Sequence, residues 1–178
     1  MECLSIAVDN RERWPFDFSG EGYAGVSVVH KALSVGDYAI AGAEDCAAVE
    51  RKSIDDLARC LSRDRERFLR QLQRGRGMDA YAVIVEAPWS DLVAGRYRSQ
   101  LHPNAATATV TAIMARMGIP FLFCGSRAEA EMATFQFLNQ YARGIRRRLR
   151  AVEQALDPLQ PPRAVPRAKV LRMAHMDA

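Results

Sequence analysis

Residues 36–56 read GDYAIAGAEDCAAVERKSIDD, and the alternation within them decides the fold. Tyr38, Ala39 and Ile40 make a short apolar run after Gly36 and Asp37. A polar turn covers 41–45, and Cys46 to Lys52 reads as a second strand. Ser53 suits a helix N-cap, with Asp55 and Asp56 in the first turn behind it. The predicted unit is strand, turn, strand, helix. Strand side chains alternate between faces. Glu50 and Lys52 therefore share one face, and Arg51 takes the other with Ala47 and Val49. A hairpin between the two strands sets Asp37 beside Glu50, so that two carboxylates and one ammonium surround a point. Paired carboxylates repel each other, and Mg²⁺ prefers such hard oxygen ligands. A nearby lysine can orient a metal-bound water and steady a phosphate. The same charges also suit a solvated strand end, and spacing alone does not choose between these readings.

Outward from this stretch, Leu4 to Val8 reads as a buried strand whose end delivers Asp9 and Glu12. Residues 13–22 are a loop with Trp14, Phe16 and Phe18, aromatics that stack on unpaired bases or, the preferred reading, pack the loop onto a core. Gly25 to Leu33 is a further strand leading into Gly36. On the C-terminal side, Ser53 to Arg74 reads as one helix, ended by Arg74-Gly75-Arg76-Gly77. At 100° per residue, Arg59, Arg63, Arg67, Arg70 and Arg74 gather on one face, opposite Ile54, Leu57, Leu61, Phe68 and Leu72. Such a face tracks a phosphate backbone or is simply solvated. Gln71 lies between the two faces, within reach of the sheet or of DNA. Tyr81 to Glu86 is an apolar strand with Glu86 read as a supporting acid or, by preference, a strand-end charge. A short helix and loop (88–101), a helix of small residues (103–117), a last strand (119–123) and a long helix from Ser126 complete the pattern. Residues 157–178 form a Pro-rich basic tail, expected to be disordered.

The chain has 178 residues, net charge +4 and 49% hydrophobic residues, enough for one domain with a core, here residues 1–156. A basic balance fits a polyanionic partner. Of 25 basic residues only Lys31, Lys52 and Lys169 are lysine, so Lys52 stands out. Richness in arginine and alanine suggests a bacterial or phage genome. The four cysteines lie far apart without zinc-ligand spacing, which suits a reducing cytoplasm. No signal peptide and no apolar run of membrane-spanning length are evident.

Gly36-Asp37, Glu50-Arg51-Lys52 and Asp56 together resemble the GD…ERKxxxD signature of the XPF-type structure-specific DNA endonucleases. Val8-Asp9-Asn10-Arg11-Glu12 resembles the VDxRE that opens that family's nuclease domain. Arg67 and Gln71 resemble its RxxxQ helix, and Val83-Ile84-Val85-Glu86 the strand after it. The resemblance implies the restriction-endonuclease-like fold, an α/β domain with a central mixed sheet flanked by helices. It implies metal-dependent hydrolysis of branched or flap-like DNA in repair or recombination. Asp37 and Glu50 would hold Mg²⁺ or Mn²⁺, aided by Asp9 and the carbonyl of Arg51, with Lys52 at the water. Glu12 and Asp56 would support them, Asp56 by orienting Lys52 or Arg51. DNA contacts would come from Arg11, Gln71 and the five arginines of the helix face. The family's nuclease domains pair, so a homodimer is expected, with no membrane partner. The family's helix-hairpin-helix domain has no counterpart after residue 156, so the chain resembles a stand-alone nuclease domain. A Holliday-junction resolvase or restriction-type nuclease of the same fold is an alternative, as is a non-catalytic DNA-binding subunit.

Overall fold

The computed structural model describes residues 3–156; the expected tail at 157–178 lies outside the described residues. The chain divides into two units, residues 1–144 and the remainder from residue 145. The first holds a six-stranded sheet in the order β2-β1-β3-β4-β5-β6. Its strands are β1 (Leu4–Asp9), β2 (Val26–Lys31), β3 (Tyr38–Ile40), β4 (Ala47–Lys52), β5 (Ala80–Val85) and β6 (Phe121–Phe123). β1 pairs parallel with β2, β3 runs antiparallel to both β1 and β4, and β4, β5 and β6 are parallel. The sheet is therefore mixed, as expected. The helices are α1 (Ile54–Leu61), α2 (Arg65–Arg76), α3 (Trp89–Ala94), α4 (Pro103–Met117) and α5 (Arg127–Leu156). Within the second unit, 145–156 are the last turns of α5.

Alternation along the strands splits the core in two. Ala7, Ala39, Ala48, Tyr81, Val83 and Val85 pack against Leu57 and Leu61 of α1, Phe68 and Leu72 of α2, and Leu92, Val110 and Ile113 beyond. Ile6, Val8, Tyr38, Val49 and Ile84 face Phe16, Phe18, Ala130 and Leu138 on the other side. Phe16 stacks on Tyr38 at 5.0 Å between ring centroids. The loop aromatics Phe16 and Phe18 are thus core, while Trp14 is 75% exposed.

The helix expected at 53–74 is two helices. Ser53 caps α1, its hydroxyl accepting from the Asp56 amide. Ser62 ends α1 by donating its hydroxyl to the Ala58 carbonyl, a local bond that competes with the helix ladder. The Arg59 guanidinium closes the turn on Asp64 at 3.2 Å. Chain direction resets there, so the five arginines do not form one stripe. Gly75 is not the cap but lies inside α2, which Gly77 ends.

Candidate active site

The site grows from a close approach of β3 to β4. Gly36 has φ +77°, and a Cβ there would stand 2.9 Å from the Val49 carbonyl oxygen. Only glycine combines that conformation with that clearance. The approach lets the Asp37 amide donate to Val49 O at 2.8 Å. Tyr38 stands opposite Val49 in the antiparallel register, so Asp37 stands opposite Glu50. Asp37 Oδ2 then accepts from the Arg51 amide at 2.8 Å. Lys52 donates to Glu50 Oε1, and Gln71 of α2 donates to Glu50 Oε2. Glu50 is 1% exposed.

Asp37, Glu50 and Lys52 thus share the sheet face toward α1 and α2, with two carboxylates against one ammonium. Burial first, then the Glu50 charge, pushes the Asp37 carboxyl up to about 7. Burial opposes the charge on Lys52, but Glu50 and Asp37 outweigh it and raise its pKa. Lys52 is therefore an ammonium, a donor and a positive charge. The site is short of positive charge, and the uncommitted acceptor there is Asp37 Oδ1. Among the described residues no group of three or more His, Cys, Asp or Glu could hold a metal ion. The donor set suits Mg²⁺, which takes one or two carboxylates and keeps several waters. It does not suit a cation that needs an all-protein cage.

Arg51 points to the opposite face, and its setting was not evident from sequence. Its Nε and Nη2 donate to the two oxygens of Glu86, each at 2.8 Å, and its Nη1 to Glu12 at 3.0 Å. The guanidinium also lies 5.4 Å from the Phe16 ring centroid. Arg127 of α5 stands over the same ring at 4.8 Å and donates to Glu86 Oε1 at 3.1 Å. Burial works against the Arg51 charge, and Glu86 and Glu12 overcome it and raise its pKa. Glu86, read as a supporting acid or, by preference, a strand-end charge, is the principal anchor of Arg51. The VIVE strand hinted at it, but Arg127, 76 positions beyond Arg51, carried no local signal.

Other expectations are relocated. The Asp9 carboxylate lies on the sheet face of Glu50, yet its oxygens accept from Arg11 Nε at 2.8 Å, Arg11 Nη2 at 2.5 Å, the Arg11 amide at 2.7 Å and the Leu33 amide at 3.1 Å. These bonds, Arg11 foremost, hold its pKa below the ordinary value. Saturated in this way, Asp9 braces a loop instead of offering a free ligand oxygen, and Arg11, expected on DNA, is its partner. Gln71, also expected on DNA, holds Glu50. Asp56 bonds Ser53 and Arg59, not Lys52 or Arg51. Arg70 is 3.8 Å from Glu66. Arg63, Arg67 and Arg74 are exposed and make no ion pair among the described residues.

A small hollow lined by Lys52, Arg59, Cys60, Arg67 and Gln71 opens beside the carboxylates. Arg59 is shared with a larger cleft of about 850 Å³ between the α1–α2 turn and the segment before α4, lined by Arg63, Tyr97, Arg98 and Gln100. Arg98 is 93% exposed.

Residues 8–157 match the ERCC4 domain family. A solved XPF from Aeropyrum pernix is 26% identical, with a TM-score of 0.60 over 77% of this chain and 61% of that one. A second structure, XPF from Aeropyrum pernix in complex with DNA, is 24% identical with a TM-score of 0.60, over 79% of this chain and 66% of that one. The chain thus spans less than two thirds of the length of each solved protein. No curated protein matches. The match takes in the strand ends carrying Asp37, Glu50 and Lys52 as well as the helices packed around them, and the chain belongs to the ERCC4 domain family as an XPF-type nuclease domain.

Proposed function

We propose that this chain is a metal-dependent DNA endonuclease. The observation that carries the reading is the convergence of Asp37 and Glu50 on one sheet face, with the Lys52 ammonium bonded to Glu50. Asp37 and Glu50 would hold Mg²⁺ or Mn²⁺ with the Arg51 carbonyl. The cation, when bound, polarises the phosphodiester and lowers the pKa of a water. The Lys52 ammonium steadies the phosphate or orients the attacking water. Gln71 fixes the second oxygen of Glu50. The Arg51 network, on the far face, fixes the strand end from which Glu50 and Lys52 project.

DNA would reach the site along the basic cleft that shares Arg59 with the hollow beside Lys52. The family match and the complex of an XPF with DNA support that polymer as substrate. The family resemblance supports branched or flap-like DNA as the substrate and a role in repair or recombination. The test is cleavage of flap, fork, four-way junction and linear duplex substrates with Mg²⁺, Mn²⁺ or EDTA. Cleavage with either metal, abolished in Asp37→Ala and Glu50→Ala while DNA binding persists, is expected. Lys52→Ala should turn over at least about a hundredfold more slowly. Full activity in EDTA, or in either carboxylate variant, would refute the assignment.

A further inference from the structure

Among the described residues the hydroxyl of Tyr81 is a buried side-chain oxygen with no hydrogen bond of good geometry, and the Glu50 carboxylate lies within weak hydrogen-bonding reach of it. The residue is 5% exposed. Tyr81 stands opposite Ala48 in the parallel β4–β5 register, on the sheet face that carries Glu50 two positions further on. Its ring packs against Gly75: a Cβ at 75 would lie 2.5 Å from Cδ1 and Cε1 of the ring. Glycine inside a helix lowers stability relative to alanine, so its place in α2 is explained by the ring it admits. Gln71, one turn earlier on α2, donates to Glu50. The ring is therefore held between β5 and the helix that already braces Glu50. After burial itself, the Glu50 and Asp37 carboxylates are the charges that raise the pKa of this phenol.

A buried hydroxyl without a partner destabilises the fold, and phenylalanine would fill the same space without that penalty. The acceptor at hand is Glu50. Its two oxygens are engaged by Lys52 and Gln71, and each retains a lone pair. We propose that Tyr81 is a positioning residue for Glu50, whose hydroxyl donates to the Glu50 carboxylate when that carboxylate holds a divalent cation. The proposal rests on the reading that Glu50 holds a divalent cation, and it adds a second buried donor to Gln71.

The test is calorimetric titration of Mn²⁺ into the wild-type chain, Tyr81→Phe and Glu50→Ala, with melting curves of the metal-free proteins. Partners that orient a metal ligand typically change affinity about ten- to a hundredfold. Tyr81→Phe is expected to bind Mn²⁺ about tenfold more weakly, while its metal-free melting temperature stays level or rises. Wild-type affinity in Tyr81→Phe, with Glu50→Ala defective, would overturn the proposal and leave the metal site standing. A fall in metal-free stability that accounts for the weaker binding would also overturn it, as a packing effect. No Mn²⁺ binding by the wild type, or equal binding by Glu50→Ala, would overturn the metal site itself and this proposal with it.

Discussion

Asp37 carries the least comfortable charge in the site, and its discomfort is measurable without substrate. Its carboxyl titrates near 3.8 in an ordinary setting and near 7 here, raised by burial and by Glu50. Between those values the folded chain holds a proton that the unfolded chain has released. The metal-free protein should therefore lose stability as pH rises from about 4 to about 7, and remain at the lower level above that. Asp37→Asn removes the repulsion while keeping an oxygen for the Arg51 amide. In EDTA at about pH 8 the variant is expected to melt above the wild type, with the gap closing as pH falls to about 4. A gap that does not depend on pH would show that charge repulsion is not its source. At this scale the sequence was legible where chemistry is local. Gly36, Asp37, Glu50 and Lys52 converge because strand alternation and a hairpin leave them no other arrangement. Arg51 was legible only as a residue on the other face, since Glu86 and Arg127 reach it through folding. The bonds of Asp9 to Arg11 and Leu33 were not legible, because they depend on a turn that the residue types do not specify.

The element that sequence reading misjudged is the first helical segment. Leu61 and Phe68 are seven residues apart, so a continuous helix and a broken one both bury them, and periodicity cannot tell the two apart. The break is made by polar groups, Ser62 on Ala58 and Arg59 on Asp64. Its consequence is functional: it turns Arg63 toward the segment carrying Tyr97 and Arg98. If that cleft carries DNA, Arg63→Gln with Arg98→Gln should weaken binding for all sequences alike. The slope of log K against log salt should drop by about 0.9 for each duplex phosphate that the variant no longer neutralises. Melting temperature should hardly move, because neither charge is buried. An unchanged slope would mark these arginines as merely solvated. The ends of β4 and β5 make the opposite case. Arg51 and Glu86 side chains are 15% and 13% exposed. Glu86→Ala leaves a buried guanidinium with Glu12 alone, and roughly 3 kcal/mol of stability should go in urea unfolding. A loss below about 1 kcal/mol would mean that Glu12 and water replace Glu86 fully.

For the whole molecule the open matter is what covers the outer strand. The helices α4 and α5 are the first candidates for apolar surface beyond the core. On α4, however, Val110 and Ile113 are used in the core, leaving Met114 as its exposed large apolar side chain. On α5, Ile145 and Leu149 are exposed, and earlier residues of the same helix line an apolar groove beside β6. Phe121, Leu122, Ala133, Phe137 and Tyr141 line a groove of about 700 Å³ within the first unit, and Leu122 is 39% exposed. β6 is also the last strand in the sheet order, so among the described residues one of its edges has no neighbouring strand. An unpaired apolar edge is a template for another chain unless it is blocked by charge, proline or a covering element. The strand Phe-Leu-Phe carries none of the first two. A second copy suits it because the same groove and edge occur on both partners, as a two-fold interface requires. We therefore expect a homodimer at micromolar concentration by light scattering. Leu122→Glu places a charge on the edge without entering the core, since the side chain is partly exposed already. It should give a monomer whose far-ultraviolet circular dichroism matches the wild type. A wild-type monomer, or a Leu122→Glu variant that still dimerises, would remove β6 from the interface.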